Sequence, residues 1–179
     1  MTPLEISWTK RALKLDPEAR EHLEAMLRRL HVYFPEIMTD MRIGITRAYD
    51  GLAFQSDSGY VKIMLEVRQT KKGTYKYPTY WTIGHELMHL AQFNSTGIPS
   101  GERACDIHAL SRLPPRFIDE APSYLVISKI IRRNWSLWHA RTAHDLAKAA
   151  LEKRSKGYRT YASWWEDEFE GKAWGRGPL

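Results

Sequence analysis

A single cysteine, Cys105, stands in a chain of 179 residues. That excludes an internal disulfide and a cysteine-based zinc knuckle, agrees with a reducing compartment, and leaves Cys105 the expected part of a small buried apolar residue. No apolar run approaches the roughly 20 residues that a membrane-spanning helix needs. The opening stretch MTPLEISWTKRALKL carries charges where a secretory signal needs an apolar core. A soluble, cytoplasmic protein without a membrane partner is therefore expected. Internal repeats and low-complexity tracts are also missing, so the organisation has to come from local pattern. An acidic excess is missing too: 27 Lys and Arg against 21 Asp and Glu leave a net charge of +6. A basic balance raises nucleic acid as a partner. The cations, however, fall in isolated pairs, Arg28-Arg29, Lys71-Lys72, Arg132-Arg133 and Lys153-Arg154, a spacing typical of solvated faces. What is present is apolar material, 43% hydrophobic and 12% aromatic. These fractions are too high for a disordered chain and suit one packed domain.

Along the chain, Asp16-Pro17 followed by EAREHLEAMLRRLHVYF reads as an N-cap, a proline at the first helical position, and a helix with Leu23, Met26, Leu27 and Leu30 on one stripe; Pro35 ends it. MRIGITRAY alternates as a half-buried strand, with Met41, Ile43 and Ile45 on one face. Turn signals follow at Asp50-Gly51 and Asp57-Ser58-Gly59, and YVKIMLEVRQ then sets Val61, Ile63, Leu65 and Val67 on one face of a second strand. TKKGTYKYP reads as a loop. A helix over 79–93 buries Ile83, Leu87, Leu90 and Ala91 and carries His85 and His89 on its other side. Ser100 can cap a further helix, GERACDIHALSRL, stopped by Pro114-Pro115. Two more helices are expected over 120–133 and 137–155, the last with Gly157 just beyond it. Helix, strands, then helices is an α+β order.

WTIGHELMHLAQ, residues 81–92, holds H-E-x-x-H. Histidines at i and i+4 can both direct a ring nitrogen at one tetrahedral zinc ion about 2.0–2.1 Å away, while the glutamate beside the first reaches a water. Zinc lowers the pKa of such a water from about 15.7 to about 7, and the glutamate takes its proton. By chance the spacing arises on the order of once in a few hundred chains of this size, as a solvated helix face. A third ligand decides between the two, and Glu102, Asp106 and His108 are the candidates. Gln92 and Ser95 stand where a metzincin would need its glycine and third histidine, so that class is rejected. Glu102 and Asp106, four apart, share one helix face; one can bind the metal and the other can accept the free ring N–H of a ligand histidine. The alternative for Glu102 is an acid that complements a helix N-terminus, and His108 points elsewhere on the helix.

His85-Glu86-x-x-His89 followed by Glu102-x-x-x-Asp106 resembles the gluzincin pattern of thermolysin-like zinc peptidases, and the size resembles the minigluzincins and phage-type metallopeptidases. The resemblance covers roughly residues 40–112. It implies a zincin-like α+β domain with a small mixed sheet, zinc on His85, His89 and Glu102, Glu86 as general base, and Asp106 holding the first histidine. It also implies that YVKIMLEVRQ is the edge strand above the metal and pairs with extended substrate. The segment 90–101 is shorter than its counterpart in thermolysin, a departure from the family pattern.

The expected architecture is a zincin-like domain over 1–157 with an aromatic extension over 158–179. The extension's Trp164, Trp165, Phe169 and Trp174 are expected to pack back on the domain; a lid or inhibitory segment is the bolder reading. The expected activity is zinc-dependent cleavage of peptide or protein substrates, as an endopeptidase. The alternative is a nucleic-acid-associated or regulatory binding protein whose metal site is structural or vestigial. Tyr75, Tyr77, Tyr80, Arg132, His139 and His144 are candidates for stabilising an oxyanion.

Overall fold

The computed structural model describes residues 4–38, 40–48, 50–55 and 60–174. The chain forms two compact units, Met1–Gly97 and Ile98–Leu179. The turn signal Asp57-Ser58-Gly59 lies outside the described residues.

The first unit is α+β. Its elements are β1 (Ile6–Trp8), α1 (Pro17–His31), β2 (Met41–Thr46), β3 (Gly51–Gln55), β4 (Val61–Glu66), β5 (Arg68–Gln69), β6 (Tyr75–Lys76) and α2 (Tyr80–Asn94). Four strands form a mixed sheet in the order β1-β2-β4-β3. β1, β2 and β4 run parallel and β3 antiparallel to β4. Cross-strand pairing sets Met41 beside Val61, Ile43 beside Ile63 and Ile45 beside Leu65, so the alternation read from both strands is used in one register. Met41, Ile43, Val61, Ile63 and Leu65 are fully buried, each stabilising the fold by roughly 1.5–3 kcal/mol through lost apolar surface.

β4 is flanked on both sides, by β2 and β3. The expectation that YVKIMLEVRQ forms the sheet edge is therefore corrected: the edges are β1 and β3. The strand also stops at Glu66, because β2 and β3 offer partners only as far as Glu66 and Leu65. Arg68–Gln69 pairs instead with Tyr75–Lys76, in a stretch read as loop. Gly73, at φ +81°, takes the left-handed conformation in the turn between them.

α1 starts at Pro17 and buries Leu23, Met26, Leu27 and Leu30, as its stripe predicts. Asp16 does not cap it; its carboxylate accepts from the Tyr75 hydroxyl at 3.0 Å. α2 is capped by Thr79, whose side chain accepts from Thr82 N–H at 3.0 Å.

The second unit is helical, with α3 (Glu102–Arg112), α4 (Lys129–Arg133), α5 (Leu137–Ser155) and α6 (Tyr161–Trp174). α5 packs on both α3 and α6. Ala140, Ala143, Ala147 and Ala150 are buried on it, and their small side chains admit close neighbours. Trp165 and Phe169 of α6 stack with ring centroids 4.7 Å apart, and the Trp165 indole donates to the Ala143 carbonyl at 3.1 Å. α6 is thus a core element of its unit, although Trp174 remains exposed. Gly157, at φ +92°, follows α5 as expected. α3 departs from expectation at its start, where Gly101 occupies the N-cap position with φ +100° and no side-chain cap.

The expected helix over 120–133 is short: only Lys129–Arg133 is helical. Leu125 and Ile127 are buried while Tyr124 and Val126 are exposed, the period-2 pattern of extended chain. Side chains satisfy this backbone in place of a helix. Asp106 Oδ2 accepts from Tyr124 N–H at 2.8 Å and Glu166 Oε1 from Val126 N–H at 2.9 Å. Arg132 donates to the carbonyls of Pro122, Ser123, Leu125 and Ile127. Arg132→Met keeps the aliphatic stem and removes every one of these donors. It is expected to destabilise the protein by about 1–3 kcal/mol, seen as a lower denaturant midpoint at unchanged slope; a midpoint equal to wild type would show that the clamp contributes nothing.

Candidate metal centre

A chance match would set the histidines and glutamate of α2 on a solvated face, and they do not lie on one. Trp81, Gly84, His85, Glu86 and Met88 are buried along with the apolar face, and His89 is half-buried. A glutamate and a histidine buried on one helix are costly unless polar partners or an ion compensate them. A chance match on a wet face would not incur that cost.

The two imidazoles converge. Nε2 of His85 and Nε2 of His89 lie 3.1 Å apart, with the rings edge to face at 4.7 Å. Two neighbouring corners of a tetrahedral zinc site with bonds near 2.05 Å stand about 3.3 Å apart. A helix that presents two imidazoles one turn apart therefore already holds them at the spacing of two zinc ligands.

Gln92, one turn beyond His89, fixes how the second ring is presented. Its Oε1 lies 2.9 Å from His89 Nδ1. As an acceptor from Nδ1–H, the carboxamide oxygen would leave the Nε2 lone pair available to a metal. This is the outer support that ligand histidines use to fix tautomer and orientation. The sequence pattern offered Gln92 only as a residue that excludes one peptidase class; its i+3 spacing from His89 was the available signal.

Glu86 faces the sheet. Its side chain lies against Gly51 of β3, where a methyl group in place of the glycine hydrogen would come within 2.5 Å of Oε1. This too is absent from the sequence pattern, because residues 51 and 86 meet only through the fold.

The remaining candidates sit on α3, in the second unit. Glu102 is its first residue and exposed, whereas Cys105, Asp106 and His108 are buried. Asp106 is fully buried and engages Tyr124 N–H through Oδ2. His108 is a core residue of its helix. The fold thus gathers His85, Glu86 and His89 on one helix and Glu102 and Asp106 on another.

The oxyanion candidates have structural partners. Tyr75 bonds Asp16, and Tyr77 packs on His22 with ring centroids 4.3 Å apart. Burial first, then Asp16, raises the Tyr75 phenol above its ordinary range; burial and the neighbouring Tyr75 do the same for Tyr77. Tyr80 accepts from Arg29 at 3.1 Å. Arg132 holds the 122–127 backbone, and His144 Nδ1–H donates to the Leu110 carbonyl at 2.7 Å. His139 is 2.8 Å from Ser136 Oγ and stacks on Trp135; burial lowers its pKa.

Among the described residues no helix is long and apolar enough to cross a membrane. No family model, curated protein or solved structure matches the chain, so what the centre does has to follow from its own atoms.

Proposed function

We propose that the chain is a zinc-dependent endopeptidase that uses His85 and His89 as metal ligands and Glu86 as general base. The observation that carries this reading is the pair of Nε2 atoms 3.1 Å apart beside a buried glutamate on the same helix. Zinc, when bound, supplies Lewis acidity to the scissile carbonyl and acidity to a water. Glu86 would take a proton from the attacking water and return it to the amide nitrogen as the C–N bond breaks. Gln92 keeps the His89 lone pair outward. Glu102 is the third ligand in the pattern that the sequence resembles, and Asp106 the support of His85. The pattern names three protein ligands, where a structural zinc is usually closed by four.

The substrate would lie extended along β3, not β4. β3 ends the four-stranded sheet and packs on α2, so its outer edge can add a peptide strand near Glu86. A second reading, nucleic-acid binding, finds its support in the β5–β6 hairpin, which exposes Arg68, Lys71, Lys72 and Lys76.

Elemental analysis of purified protein, followed by a mixed-peptide digest with and without chelator, tests the proposal. About one zinc per chain and chelator-sensitive cleavage restored by zinc are expected. Folded protein that takes up no zinc on reloading would overturn it. Zinc-loaded protein that cleaves nothing yet binds DNA with steep salt dependence would favour the second reading.

A further inference from the structure

We infer that Gly51 is the positioning residue of Glu86: the missing side chain on β3 is the slot that holds the glutamate in place. A Cβ built on Gly51 would meet Glu86 Oε1 at 2.5 Å, Cγ at 2.6 Å and Cδ at 2.8 Å. The glycine is not needed for its backbone, since among the described residues the glycines with positive φ are Gly73, Gly101 and Gly157. Space is the only reason left for it. Contact with Cγ as well as with the carboxylate matters, because Cγ is one torsion from the helix backbone and cannot be relieved by swinging the tip alone.

Both walls of the slot are fixed. Gly51 pairs with Leu65, and the adjoining Asp50 carbonyl accepts from Glu66 N–H at 3.1 Å. Glu86 sits mid-helix in α2, capped by Thr79. Ala53, two residues along the same face of β3, is also small and buried, so this face is shaped for close approach of α2. Gly44 makes a useful contrast: a Cβ there would meet the end of the Met64 thioether, which can swing aside at small cost.

The catalytic part of this inference rests on the peptidase reading; the contact does not, and the test separates them. Gly51→Ala is expected to lower Tm by roughly 2–12 °C, the range for overpacking a fixed site. In a Glu86→Ala background, where the slot is vacated, the same change should cost almost nothing. Equal Tm losses in both backgrounds would overturn the inference whether or not the protein cleaves peptides. In active protein, Gly51→Ala should reduce kcat by roughly 100-fold, the cost of displacing a catalytic group by about 1 Å, with KM and zinc content unchanged. Added to Glu86→Gln it should reduce kcat no further. An independent additional loss, or an unchanged kcat in the single variant, would overturn the positioning role.

Discussion

Glu86→Gln is expected to keep one zinc per chain and to lower kcat by roughly 10²–10⁴-fold, the usual worth of a positioned general base. The substitution is close to isosteric, so the amide still fills the slot beside Gly51 and the helix keeps its packing. It loses only the ability to take a proton. A merely structural glutamate predicts the opposite split: its replacement would move stability and leave the rate of any bound-metal chemistry within a few-fold. Measuring zinc content, Tm and kcat on the same preparation distinguishes these outcomes. A variant that retains more than about a tenth of wild-type kcat would remove Glu86 from the mechanism.

What could be read from the sequence was what is local. The α1 stripe, its start at Pro17, the stop at Gly157 and the alternation in β2 and β4 each depend on neighbours within a few residues. The histidine pair belongs to the same class, because i and i+4 on one helix fix the convergence of His85 and His89. β1 has three residues, too few for a period to register. β3 begins at Gly51, and Asp50-Gly51 read as a turn because a glycine chosen for space looks the same in sequence as one chosen for backbone freedom. The segment 120–128 belongs to the stretch 120–133 expected as helix, yet it is extended. What decides its extended form is distant: Asp106, Glu166 and Arg132 satisfy its backbone. Even there a signal existed, the alternation of Leu125 and Ile127 with Tyr124 and Val126. The edge assignment given to β4 failed for another reason, since strand order is a property of the sheet and not of any one strand.

His89→Ala should abolish tight zinc binding, and stability gives a readout that needs no substrate. A ligand that binds only the folded state stabilises it by about 4 kcal/mol at a thousand times its Kd, which in a protein of this size is roughly 8–16 °C in Tm. Wild type should show that rise on adding zinc to chelator-treated protein, and His89→Ala should show none. Gln92→Leu, which removes the support at 2.9 Å and no ligand, should lose only about 10–100-fold in affinity and still respond at higher zinc. The same titration asks which side chain of α3, if any, supplies a third ligand. Loss of the response in Glu102→Ala, with Cys105→Ser and Asp106→Asn responding, would assign Glu102. Glu102 is the exposed member of that set and Cys105 and Asp106 the buried ones, so a response lost instead in Cys105→Ser would make a thiolate the third ligand and end the gluzincin reading of α3. A Tm rise in His89→Ala equal to that of wild type would place the zinc elsewhere altogether.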